Sequence, residues 1–170
     1  MDRLAGNMKV PSLFKFRIIA KDGSVKWVEQ FASVIQFNDR PAVQVSYVDI
    51  TERMRTEEQV QNIFDLSPYL LGIADITTFH YLKVNPAFQR LLGYREEDLL
   101  SRPFLDFVHP YHRKRTIEGV SQMTERKGTS FLEFENRFLH KEGSYIWISW
   151  KANIRVDDGI AYFVGRDITD

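Results

Sequence analysis

His109 and His112 stand three residues apart and could in principle share a metal ion. No third ligand is evident and Pro110 lies between them, so His109 is read as a structural residue at the entry to a helix. Three carboxylate groups invite acid–base chemistry: Glu57-Glu58, Glu96-Glu97-Asp98 and Asp157-Asp158. The first two fall on predicted solvated helix faces and the third in a turn; none has a nucleophile or base placed beside it by spacing. No Gly-rich phosphate loop and no nucleophile motif occurs. The chain has no cysteine, which excludes disulfides, thiolate metal sites and thiol nucleophiles. No catalytic residue, metal site or cofactor is therefore assigned, and an unknown small molecule is the only ligand left open.

The charge balance narrows the partners. Lys plus Arg and Asp plus Glu number 23 each, which leaves no net field to hold nucleic acid or an anionic membrane. The one basic cluster, Arg113-Lys114-Arg115, reads as a solvated helix start. No run of about 18 apolar residues is present to span a membrane, and MDRLAGNMKV lacks the core of a signal peptide. The cytoplasm is the expected location. At 170 residues, 44% apolar and 14% aromatic, the chain can bury a core.

The elements that would position any site follow from an internal repeat. Residues 14–34, FKFRIIAKDGSVKWVEQFASV, and 134–154, FENRFLHKEGSYIWISWKANI, share Phe, Arg, Lys, Gly, Ser, Trp and Ala at a constant offset. Asp49-Ile50-Thr51 then meets Asp167-Ile168-Thr169 with two residues fewer between, the gap falling in a predicted turn. Each copy reads as three strands, the first turn carrying Gly23 or Gly143 and the second lying at Asn38-Asp39 or Asp157-Asp158-Gly159. Only the second copy is preceded by further elements. Leu70–Ile76 and His80–Val84 read as a hairpin whose turn, Thr77-Thr78-Phe79, has no Gly. Asn85 is expected to cap a helix with Pro86 at its first position, burying Phe88, Leu91 and Leu92 and ending at Gly93. Phe104, Phe107 and Val108 follow, and a longer helix is predicted from about Tyr111 to Glu125, with Ile117, Val120 and Met123 on one stripe and Gly128 as its stop. Two strands, a helical cluster and three strands point to an α+β fold: one five-stranded antiparallel sheet with helices on one face, preceded by a partial three-stranded unit.

This order resembles PAS domains, as do VNPAFQRLLGY (84–94), FVHPYHR (107–113), R-x-x-x-K-E-G-S-x-x-W (137–147) and GRDITD (165–170). Residues 14–51 are similar to the C-terminal half of the same family. The expected organisation is 1–50, the C-terminal half (PAC motif) of a preceding PAS domain; 51–64, a linker helix; and 65–170, a complete PAS domain. The resemblance implies a non-catalytic sensor and dimerisation segment of a bacterial multidomain signalling protein, with a sensor histidine kinase or a diguanylate cyclase as effector. A ligand-free scaffold that only dimerises is the alternative. The phosphoacceptor and nucleotide-binding motifs of a kinase are absent from these residues, and so is the cysteine that flavin photochemistry in this family needs.

The resemblance also implies a cavity between sheet and helices. Strand alternation puts Phe134, Asn136 and Phe138 on one face. Asn136 stands where the first copy has Phe16, and it admits two readings: a ligand contact, or a core amide paired internally. Ile73, Phe88, Leu92, Phe104, Phe107 and Ile148 complete the expected wall. Asp49 is in capping-box register with Glu52 at the linker helix start, where Ile50, Arg53, Glu57, Val60 and Phe64 follow a coiled-coil step. As signal relay the resemblance implies Asp49, Thr51, Asp167 and Thr169, with Asp49 paired to Arg17 and Asp167 to Arg137. Trp27 and Trp147 fall on the opposite sheet face, where the linker helix or a second copy would cover them. A homodimer through that face or through the linker helix is expected, besides the effector domain of the parent protein.

Overall fold

A computed structural model describes residues 13–124 and 129–169, with the backbone alone at residues 123, 124, 129 and 130. The expected chain start, the helix end at Glu125, the stop at Gly128 and the side chain of Met123 lie outside what is described. The chain forms two compact units, Met1–Gln61 and Asn62–Asp170.

In the first unit, β1 (Leu13–Ile19), β2 (Val25–Phe37) and β3 (Arg40–Asp49) form one antiparallel sheet in that order. In the second, β4 (Leu70–Asp75), β5 (His80–Val84), β6 (Thr129–Leu139), β7 (Tyr145–Arg155) and β8 (Ile160–Asp167) form a five-stranded sheet in the order β5-β4-β8-β7-β6. Helices α2 (Ala87–Leu92), α3 (Glu96–Leu100) and α4 (Pro110–Thr124), with a 3-10 turn at Phe104–Phe107, connect β5 to β6. The linker helix α1 runs over Thr51–Leu66.

The repeat is structural. Arg17 pairs with Trp27 on β1–β2, and Arg137 with Trp147 on β6–β7. Gly23 and Gly143 hold φ of 82° and 93° in matching turns, a region where a side chain is strained. The two-residue difference is spent in the second hairpin. The first copy pairs Phe37 with Arg40 around Asn38 and Asp39, both left-handed at φ 49° and 59°, a geometry these short polar residues tolerate. The second pairs Arg155 with Ile160 around a 3-10 turn ending at Gly159, φ 67°.

The β4–β5 turn is made without glycine. The Asp75 carboxylate accepts the Thr78 and Thr77 N–H groups at 3.0 and 2.7 Å, and these bonds hold its pKa below the usual carboxylate range. Phe79 takes φ 58°, its carbonyl accepts the Phe104 N–H at 2.7 Å, and its ring meets that of Phe104 edge-on.

One expected cap is corrected. α2 begins at Ala87 with no side-chain cap, and its last turn closes on Gly93 at φ 77°. The Asn85 side chain turns the other way. Its oxygen accepts the Leu71 N–H at 3.0 Å, and its amide donates to the carbonyls of Phe64 at 3.0 Å and Tyr69 at 2.9 Å. It therefore closes the C-terminal turn of α1 and the segment leading into β4, rather than the N-terminus of α2.

Alternation sorts the five-stranded sheet into two faces. Leu70, Ala74, Ile148, Trp150, Ile154 and Phe138 are buried under the helices, with Phe88, Leu92, Leu99, Phe107 and Val108 from the helical layer. The aromatic rings of Tyr81, Phe88, Phe138, Trp150 and Phe163 meet one another at tilted and edge-on angles, an arrangement that stabilises beyond area burial alone.

Candidate functional site: a small internal cavity and the exit joint

Between sheet and helices the second unit holds a cavity of about 60 Å³. It lies where three alanines, Ala74, Ala152 and Ala161, leave the sheet floor low, at the junction of the two packed clusters of the core. Tyr81, Phe104, Phe134, Phe138, Trp150 and Phe163 supply its aromatic wall. A cavity of this size is well below the ~150 Å³ that admits benzene.

Its lining includes two buried polar side chains, Asn136, 2% exposed, and Thr116. The Asn136 oxygen accepts the Trp150 indole N–H at 2.9 Å, and its amide donates to the Thr116 hydroxyl at 3.4 Å. Thr116 donates in turn to the His112 carbonyl at 3.0 Å. The His112 Nδ1 accepts the Arg137 backbone N–H at 3.0 Å, which places the ring proton on Nε2. The ring lies 5.2 Å from that of Trp147. Burial, with Arg137, His109 and Arg115 around it, holds His112 below the ordinary histidine range, so the imidazole is a neutral acceptor. His109 does the same one turn earlier, its Nδ1 accepting the Tyr111 N–H at 3.2 Å at the start of α4. Both Nδ1 atoms are thus taken by backbone donors. Among the described residues no group of three His, Asp or Glu is placed to hold a metal ion.

The path continues to the end of β8. The Trp147 N–H donates to the Thr169 hydroxyl at 3.2 Å, and its carbonyl accepts the Ile168 N–H at 2.9 Å. The Asp167 carboxylate accepts both the N–H and the hydroxyl of Thr169. The first unit repeats this joint: Trp27 N–H to Thr51 at 3.0 Å, Ile50 N–H to Trp27 carbonyl at 2.9 Å, and both Thr51 donors to Asp49. The expected Asp–Arg pairs are corrected. Arg17 and Arg137 lie over the rings of Trp27 and Trp147, at 5.7 and 5.6 Å, because each is the cross-strand neighbour of its tryptophan. Asp49 instead pairs with Lys26 at 3.0 Å. The Thr51 bonds, with help from Lys26, draw the Asp49 pKa down to about 2. A depressed folded pKa means that the joint is held above the unfolded value and released as pH falls through about 2. Amide exchange at Thr51, followed by NMR, is therefore expected to lose protection between pH 4 and 2 while the Thr169 amide is followed as the internal comparison.

Of the residues expected at the cavity, Phe104, Phe134 and Asn136 line it. Phe88, Leu92, Phe107 and Ile148 are buried in the adjoining core and do not border it. Ile73 is a correction. It sits between inward Gly72 and Ala74 and so points to the other sheet face, into an open groove that Phe64, Phe131 and Tyr162 also border. Trp150, Ala152 and Ile154 were missed, although they continue the alternation that begins at Ile148; Thr116 carries no comparable signal. The linker seam is corrected too: Ile50 is buried, Phe64 is half-buried beneath Lys83, and the exposed apolar stripe is Val60, Ile63 and Leu66. The carboxylate groups hold surface ion pairs: Glu57 with Arg53, Asp98 with Lys141, Asp158 with Arg155.

A five-stranded sheet in this order, a helical layer over one face and a small cavity between them define a sensory module of the PAS class. The PAS fold pattern matches residues 81–165, and the chain belongs to that family. The sensor histidine kinase TmoS of Ectopseudomonas mendocina is 31% identical over 80 residues, which are 45% of this chain and 8% of TmoS. The chain thus spans a small part of that relative's length. Two solved PAS domains share the fold. One, from an HTR-like protein of Haloarcula marismortui, is 20% identical with a TM-score of 0.58, over 68% of this chain and 99% of that one. The other, from Colwellia psychrerythraea, is 24% identical with a TM-score of 0.57, over 67% and 98%.

Proposed function

We propose that the second unit is a sensor whose cavity biases the Asp-Ile-Thr exit at residues 167–169, within a longer signalling protein. The path of hydrogen bonds from Trp150 and Asn136 through Thr116 to His112, then across the His112–Trp147 ring contact to the Trp147–Thr169 hydrogen bond, supports this reading. A small uncharged guest that takes the Asn136 amide from Thr116 would free the Thr116 hydroxyl and loosen the first turns of α4 against β6. The change expected is a population shift between two packings. The similarity to TmoS supports a histidine kinase as effector of the parent protein, and residues 1–50 are read as the C-terminal half of a preceding PAS domain, with Asp49 and Thr51 at the start of the linker helix. Native mass spectrometry of the purified chain tests for the guest. Thr116→Val tests the path: amide exchange at Trp147 and Thr169 should quicken about tenfold, whereas Val120→Ala, in the same wall but off the path, should leave it unchanged. Equal response to both would sink the relay.

A ligand-free scaffold is the second reading, favoured by the small volume of the cavity. Ala161→Leu would fill it. A scaffold gains stability and keeps its self-association; a sensor loses its guest. Self-association through α1 is supported by the exposed Val60, Ile63 and Leu66, and Ile63→Glu would dissolve it.

A further inference from the structure

All four histidines of the chain lie in the second unit. Among the described residues, the ring nitrogens of His80, His109 and His140 bond to backbone groups two residues away, each within its own turn. His112 differs. Its Nδ1 accepts the backbone N–H of Arg137 at 3.0 Å, 25 residues along the chain, and so ties the first turn of α4 to the edge strand β6. His112 is 8% exposed, and its ring lies against Trp147, whose N–H bonds to Thr169 at the exit joint. We propose that His112 is a proton-operated latch: the neutral ring holds α4 on β6, and its protonation releases that bond and loosens the Trp147–Thr169 joint.

An imidazolium carries a proton on each nitrogen and cannot accept a hydrogen bond. The Arg137 N–H would then face another donor, and a buried donor left unpaired is costly. Charge acts in the same direction. The titratable and charged groups around the ring are Arg137 on β6, His109 just before α4 and Arg115 on α4, all of them bases; Tyr111 and Trp147 are its other ring neighbours. The Arg137 Nε is buried with no hydrogen-bond partner, so no carboxylate accepts from it to offset a second positive charge. Burial and these bases hold the His112 pKa below its usual 6.5. A released ring takes up its proton near 6.5, the latched ring only at lower pH. The latch is therefore complete above 6.5 and weakens below it, about tenfold per pH unit for one proton, until the latched ring also protonates. The first unit repeats the joint, with Trp27 N–H on Thr51, but has no histidine.

NMR of the ring nitrogens and amides of the whole chain, from about pH 7.5 to about pH 5, reads the latch. The His112 ring should begin as the Nε2–H tautomer and gain an Nδ1 proton on acidification. Protection of the Arg137 and Thr169 amides, taken against the free-peptide exchange rate at each pH, should fall about tenfold per unit below 6.5, while Thr51 stays level. His112→Asn keeps an acceptor at the Nδ1 position and cannot charge, so it should flatten both slopes. His109→Asn should leave them. Slopes that persist in His112→Asn, or that vanish in His109→Asn, overturn the proposal. So does a His112 Nδ1 that stays unprotonated across the range, which the parent chain shows even where a variant does not fold. An Arg137 slope without one at Thr169 overturns it too, because the output rests on the proposed contact through Trp147. The relay from the cavity fails separately, through Thr116→Val.

Discussion

Asn85→Leu is expected to destabilise the second unit by roughly 3–5 kcal/mol, the largest effect of any single polar substitution described. The side chain is 2% exposed and uses one acceptor and both donors on three backbone groups. Leucine matches its volume and returns none of these bonds. The Leu71 N–H and the Phe64 and Tyr69 carbonyls would lose their Asn85 partner in a part-buried site, and each such loss costs about 1–3 kcal/mol, tempered where water can enter. Asn85→Asp separates the contributions. It keeps the acceptor for Leu71 but turns a carboxylate oxygen toward two carbonyls, so it should cost nearly as much. Urea unfolding gives the total, and amide exchange locates it: residues 64–71 should lose protection first. An Asn85→Leu chain as stable as the parent would mean that those backbone groups find other partners.

Gly165→Ala should cost about 2–4 kcal/mol through a different mechanism. Gly165 lies opposite Trp150 on the β7–β8 ladder. A Cβ there would stand 2.5 Å from the Trp150 Cζ3 and 2.7 Å from its Cε3. The indole must shift, and its 2.9 Å bond to Asn136 goes with it. The cost is thus overpacking plus an unpaired buried acceptor. Because the clash is with the outer edge of a six-membered ring, Trp150→Phe should relieve it: Gly165→Ala in that background is expected to cost under half as much. A double-mutant cycle showing plain additivity would refute the direct contact. In the parent background the near-ultraviolet tryptophan signal should move with the substitution.

Much of the architecture was legible before any coordinate. The paired copies, the glycines of the first turns and the order of strands and helices all follow from spacing, because a period-two pattern and a turn residue act locally. The same alternation placed Phe134 and Asn136 at the cavity. Ile73 was named for the wall without regard to alternation, and its strand neighbours Gly72 and Ala74 take the inward face instead. Asn85 failed for another reason. An Asn before Pro has the signature of a helix cap, yet three backbone groups from distant turns compete for the amide and win.

Sequence alone therefore determined the repeat, the sheet and its helical cover, and the absence of any thiol chemistry, since each depends on residue type and near-neighbour spacing. Tertiary structure decided the rest. It set the size of the cavity, through three alanines that only a sheet brings side by side. It set the partner of Asn136, the acceptor role of His112, and the stacking of Arg17 and Arg137 on tryptophans instead of their pairing with aspartates. Those outcomes depend on distances between residues far apart in the chain, and packing, unlike propensity, is a property of the whole unit.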